Sequence, residues 1–77
     1  MQIPAGLEHV LSIDPEIMHG ELCFKGTRVP LNIWLDNATD GMGVDEFLKY
    51  YPSISRDQVD AVIQWEHNQI REASGIN

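Results

Sequence analysis

The spacing of apolar positions changes about a third of the way along the chain. Up to residue 30 they come in short extended runs. Val10, Leu11 and Ile13 precede the turn-forming pair Asp14–Pro15, and Glu21–Lys25 alternates as a half-buried strand does. That alternation sets Leu22 and Phe24 on one face and Glu21, Cys23 and Lys25 on the other. Gly26 breaks the run.

From residue 30 the spacing becomes helical. Pro30 suits a first helical position, where its missing N–H leaves nothing unsatisfied. Leu31, Trp34, Leu35 and Ala38 follow, and Gly41 stops the run. Val44, Phe47, Leu48 and Tyr51 predict a short second helix ending before Pro52, with Asp45 and Glu46 in the first turn, where the helix dipole favours negative charge. Ser55 and Gln58 predict a capping box for a third helix, with Ile54 placed to staple onto Val59. Its apolar stripe is Val59, Val62, Ile63 and Ile70, with Trp65 beside Val62; His67 and Arg71 fall in its last turn.

The fold expected is therefore α+β, mostly α: a short N-terminal β-strand pair followed by a three-helix, helix-turn-helix-like domain. It is a single domain over residues 1–77, with strands and turns at 10–30, helices at 30–72 and a mobile tail at 72–77. The second and third helices have the outline of a helix-turn-helix, an outline that any three-helix bundle with short loops shares.

Composition adds bounds. A hydrophobic fraction of 43% in 77 residues fits a globular fold with a small core, of the size that self-association often completes. The single cysteine excludes an internal disulfide. No signal-peptide pattern opens the chain and no apolar run spans a bilayer, so a cytoplasmic location with no membrane partner is expected. Five basic against twelve acidic side chains give a net charge of −7, which argues against a general nucleic-acid binder and suits a protein that covers a basic partner.

Candidate chemistry is sparse. In Gly26-Thr27-Arg28, the glycine supports a left-handed turn, the hydroxyl can bond nearby backbone, and the guanidinium can hold a carboxylate. One reading is an anion- or partner-recognition loop. The other, favoured because no glycine-rich phosphate loop surrounds it, is a turn with Arg28 pinned by Asp14 or Glu16. His19, Glu21 and Cys23 would share one strand face but lack a fourth ligand, so no metal or cofactor is assigned. The pairs Asp57/Asp60 and Asp36/Asp40 have no histidine or nucleophile nearby in sequence, and neither Ser12 nor Ser53 has an identifiable base. No catalytic residue is assigned, and the chain is read as a non-enzyme.

Lys49 and Arg56 flank the turn between helices two and three, and with Gln58 and Gln64 they make up a conditional DNA-binding face. Asp57 and Asp60 beside them repel a groove, so DNA contact requires a complex that brings additional positive charge.

The segment GELCFKGTRVPL, residues 20–31, resembles the signature of a small bacterial family, the domain of unknown function 433. The matching features are Gly20, the run Phe24-Lys25-Gly26-Thr27-Arg28-Val29-Pro30, Gly41, Tyr51-Pro52 and Ser55, with Asp14-Pro15 ahead of them. Family members commonly carry a second glycine, a basic residue and a proline where this chain has His19, Glu21 and Leu22; Leu22 restores a backbone donor to that strand edge. Members are usually treated as VapB-type antitoxins. The resemblance implies an antitoxin-like protein of a type II toxin-antitoxin system that sequesters a PIN-like ribonuclease toxin and, bound to it, represses its own promoter. On this reading Thr27 and Arg28 are structural keystones, and either Asp57 and Asp60 or the tail Glu72–Asn77 contacts the toxin. The alternative is a homodimeric structural or interaction module without a nuclease partner, pairing along the Glu21–Lys25 edge.

Overall fold

The structure, a computed structural model, describes residues 2–75. Two antiparallel strands, β1 (Leu11–Ile13) and β2 (Leu22–Phe24), precede three helices, α1 (Leu31–Thr39), α2 (Val44–Tyr50) and α3 (Arg56–Ser74). The expected architecture of a strand pair followed by three helices is the one observed.

Leu11 stands opposite Phe24, Ser12 opposite Cys23 and Ile13 opposite Leu22. The Lys25 N–H donates to the Val10 carbonyl at 2.8 Å, extending the ladder one residue beyond the strands. On its other side β2 is closed by its own chain. The Phe24 N–H donates to the Val29 carbonyl at 3.0 Å, and Cys23 bridges to Pro30. Over Cys23 and Phe24, therefore, the Glu21–Lys25 edge is occupied and not open to a second copy.

Cys23 and Phe24 point to opposite faces of β2, yet both are buried. The alternation that assigned Cys23 to a polar face fails because β2 is covered on both sides, as in strands enclosed by a larger fold. His19 lies outside the strand. The connection from β1 starts with an Asx turn, the Glu16 N–H donating to Asp14 Oδ1 at 2.9 Å. It then passes through left-handed backbone at Met18 (φ 51°), His19 (φ 56°) and Gly20 (φ 83°). Two successive non-glycine residues there cost about 1–2 kcal/mol each. His19, Glu21 and Cys23 consequently share no face, and among the described residues no group of three or more His, Cys, Asp or Glu is placed to hold a metal ion.

Pro30 is the N-cap of α1, one position earlier than expected, with an extended ψ of 145°. The far end of α1 closes as a Schellman motif: Gly41 N–H donates to the Ala38 carbonyl at 3.0 Å and Met42 N–H to the Asn37 carbonyl at 2.9 Å. Gly41 takes φ 97°, which is the reason a glycine stops this helix.

The core gathers around Phe47, which is fully buried. Its ring centroid lies 5.0 Å from Trp34 in an edge-on arrangement, 4.9 Å from Tyr51 and 6.3 Å from Phe24. Thus α1, α2, the end of α2 and β2 each contribute one aromatic ring to the same spot. Ile54, Val59 and Val62 bring α3 into this core, and Leu7 and Val10 bring in the segment before β1. The Trp65 indole N–H, on α3, donates to the Ala5 carbonyl at 3.0 Å. Trp34 is therefore a core residue, whereas Trp65 is half-buried and fastens the N-terminal segment to α3.

The third helix departs from expectation at its far end. It continues through Glu72 to Ser74 and is capped by Gly75 at φ 70°, so His67 lies before the last turn. Residues 72–74, expected in a tail, are helical; residues 76–77 lie outside the described residues. Ile70, expected in the apolar stripe, is 62% exposed. At 1.5 Å per residue α3 is about 28 Å long against about 13 Å for α1, so its last turns outrun the neighbour that would cover them.

Candidate partner-binding surface

The Gly26-Thr27-Arg28 loop is built around Thr27. Its hydroxyl donates to the Phe24 carbonyl at 2.9 Å and accepts the Val29 N–H at 3.0 Å, while its own N–H also reaches the Phe24 carbonyl at 3.0 Å. Thr27 is the one buried polar residue of the described chain, and these bonds account for its burial. Gly26 takes φ 80° with open space around an added Cβ, so backbone conformation alone demands glycine there. The Thr27 side chain therefore holds the loop backbone in place. Arg28, expected to be pinned by Asp14 or Glu16, is exposed and makes no ion pair with either or with any other described residue. The loop holds its backbone through Thr27 and presents Arg28 to solvent.

Gln58 joins Lys25, the residue before this loop, to α3. The capping box forms as expected, with the Gln58 N–H donating to Ser55 Oγ at 3.2 Å and the Ser55 N–H to Gln58 Oε1 at 3.0 Å. The other end of the Gln58 amide donates to the Lys25 carbonyl at 2.9 Å and the Val10 carbonyl at 3.3 Å. Both ends of the side chain are therefore engaged inside the fold, and Gln58 is a clamp between α3 and the strand ends instead of a free base reader. Lys25 is tied in too, its Nζ donating to the Glu8 carbonyl at 2.9 Å.

The remaining residues of the conditional DNA-binding face are exposed but differently placed. Arg56 pairs with Asp45, linking the first turns of α3 and α2. Gln64 donates to Asn68 one turn on, at 3.1 Å. Lys49 is exposed in the last turn of α2. Asp57, Asp60 and Glu72 are exposed on α3, without a cationic partner among the described residues. Of the twelve Asp and Glu side chains, one is paired with a cation among the described residues.

A groove of about 410 Å³ lies between α1 and α3, floored by Trp34, Leu35, Ala38 and Ile63 and walled by Glu66 and Ile70. Helical periodicity placed most of these residues on inward faces and gave no sign that a hollow would remain. Cys23, by contrast, has no access to solvent chemistry: burial pushes its thiol pKa up, and the negative charge of Glu21 adds to the shift.

The family model described as Protein of unknown function (DUF433) matches residues 11–65, well over half of the chain. The chain belongs to this family. No curated protein and no solved structure matches it. The segment matched to DUF433 runs from the start of β1 to Trp65, and so contains the Thr27 loop, the Gln58 clamp and the aromatic core. Leu7 lies ahead of it, and Glu66, His67 and Ile70 lie beyond it. No described helix is long and apolar enough to cross a membrane.

Proposed function

We propose that this DUF433 protein is an antitoxin-like, non-catalytic binding protein that covers a basic PIN-like ribonuclease and, in complex with it, represses its own promoter. The observation that carries this reading is the anionic surface: a net charge of −7, with one carboxylate in twelve paired to a cation among the described residues. Such a field steers a basic partner into place and fixes its register. The Arg56 and Lys49 positions at the α2–α3 turn suit phosphate contact within a complex that supplies the rest of the positive charge. Gln58 is removed from that face by its internal bonds.

The test is capture of partners by the tagged full-length chain from its native host at low salt, with identification of what co-elutes. A small basic nuclease recovered in near-equal amount, and released as ionic strength rises, supports the proposal. Recovery of the bait alone overturns it. With the nuclease in hand, Arg56→Ala and Lys49→Ala complexes should bind promoter DNA more weakly than the unmodified complex; unchanged binding removes the repressor part.

A second reading, a homodimeric interaction module, draws on three exposed large apolar residues, Met18 at 42%, Tyr50 at 64% and Ile70 at 62%. The closed edge of β2 and the repulsion between two chains of charge −7 count against it. Light scattering across micromolar concentrations separates the two.

A further inference from the structure

We propose that the groove between α1 and α3 receives an arginine-bearing amphipathic helix of a protein partner, with Glu66 accepting the guanidinium. This deepens the antitoxin-like reading and rests on it for the partner's identity. The groove has the chemistry for such an occupant. Trp34, Leu35, Ala38 and Ile63 make an apolar floor, and Ile70 continues it outward while 62% exposed. A helix lying between two helices delivers apolar side chains to such a floor one turn apart.

Glu66 decides the charge of the occupant. It is half-buried in the wall and makes no hydrogen bond or ion pair among the described residues. An arginine meets both demands at once, laying its methylene stem along Leu35 and Ile70 and closing two parallel bonds on the carboxylate. A lysine offers a single point charge and a poorer fit. His67 also lines the groove and is exposed. A second copy of this chain fits less well, because it approaches with the same charge of −7.

The probe is a synthetic helical peptide with leucine and arginine repeating at i, i+3, i+4 and i+7 along one face. It is titrated into isotope-labelled full-length protein and followed by NMR. A scrambled peptide of identical composition is the control for bulk charge. The two tryptophans give an internal reference: Trp34 lines the groove, whereas Trp65 lines a separate hollow with Gly6 and Ala61.

The expected result is movement of the Trp34 indole, Leu35, Ile63 and Ile70 signals with a stationary Trp65 indole, and weaker binding by the scrambled peptide. Glu66→Gln should weaken binding about tenfold, the size of one charge-assisted contact, and Ile70→Asp should weaken it at least as much. Both variants keep native circular dichroism, since neither side chain is in the core. Equal binding of the scrambled peptide, unchanged affinity of Glu66→Gln, or the same signals moving with protein concentration in the absence of peptide would each overturn the proposal. Partner capture separates this from the antitoxin-like reading. If Glu66→Gln and Ile70→Asp still retain the nuclease, the groove is wrong and the antitoxin role stands. If the peptide fills the groove and no nuclease is recovered, the groove stands and the antitoxin role is wrong.

Discussion

The two ends of α3 meet very different surroundings. At its start, Ser55 and Gln58 close the helix on itself, and the same glutamine amide ties it to the carbonyls of Val10 and Lys25. Ile54, Val59 and Val62 are buried there against the aromatic core. Beyond Trp65 no residue through Gly75 is buried, and Ile70 stands 62% exposed beside an unfilled groove. The comparison teaches that stability and recognition are separated along one helix. The near end is held by many mutually dependent contacts, and the far end carries side chains that the fold itself does not need.

The largest effect expected from this division is in the core. Phe47→Ala removes the ring shared by Phe24, Trp34 and Tyr51 and should destabilise the chain by about 3–5 kcal/mol, enough to unfold a domain of this size. Ile70→Ala should shift stability by about 0.5 kcal/mol or less. Urea denaturation of both variants measures the contrast, and comparable losses would mean that the far end of α3 is part of the same cooperative core.

Thr27 comes next. Thr27→Val keeps the shape and removes the hydroxyl, leaving the Val29 N–H without its acceptor, at a cost of about 1–3 kcal/mol. Thr27→Ser retains both hydroxyl bonds and should fall much closer to the parent. A larger loss for Thr27→Ser than for Thr27→Val would assign the role to the methyl group and its packing instead.

How far the fold was legible in the sequence depended on whether a local signal sufficed. Ser55 and Gln58 announced the helix start because a capping box is complete within four residues. Gly41 and the Asp14–Pro15 turn are equally local, and both were read correctly. The failures all needed tertiary information. Alternation put Cys23 on a polar face because it cannot know that both faces of β2 are covered. The second pair of Gln58 bonds spans more than thirty positions, so the residue looked available for bases. Arg28 was assigned an acid that the fold does not bring to it. Ile70 obeyed helical periodicity perfectly well, but α1 is too short to cover it. The groove at the far end was invisible for the same reason, since a stripe of apolar residues reads alike whether it is packed or left open.

The Gln58 clamp can be tested as a coupled unit. Ser55→Ala should cost about 1 kcal/mol as a lost N-cap, and Gln58→Ala a similar amount or more because it also frees the Val10 and Lys25 carbonyls. The double variant should lose less than the two losses added together, because Ser55→Ala removes the acceptor of the Gln58 N–H, Gln58→Ala removes the acceptor of the Ser55 N–H, and both remove the contact between Ser55 Oγ and Gln58 Oε1 at 3.4 Å. Strict additivity would mean that the two halves of the cap act independently of each other.

Cys23 gives the clamped half a pH signature. A thiol whose pKa is raised in the folded state stays protonated there while the unfolded chain ionises, so the folded state binds more protons. Its contribution to stability is full below the ordinary thiol value of about 8.5 and declines as pH rises past it towards the folded value. Urea midpoints should therefore fall across that window in the parent. Cys23→Ala should begin from a lower midpoint, since it trims a buried side chain, and lose less as pH climbs; parallel slopes in the two proteins would assign the alkaline decline to other groups.

A small effect also belongs to the Arg56–Asp45 pair, although it is the one ion pair among the described residues. The side chains are 53% and 89% exposed, so water and salt screen their attraction and holding two flexible side chains together opposes it. Arg56→Ala should change stability by about 0–1 kcal/mol, with the difference shrinking further as salt is added. In contrast to Gln58, whose bonds are drawn inward, Arg56 can leave its carboxylate partner at little cost and turn to a phosphate. A loss well above that range, unaffected by salt, would place Arg56 with the clamped half of α3 and withdraw it from any DNA-facing role. A small, salt-sensitive loss accompanied by weaker promoter binding of the nuclease complex would extend the division of labour to the first turn of the helix, with the glutamine holding the fold and the arginine free to leave it.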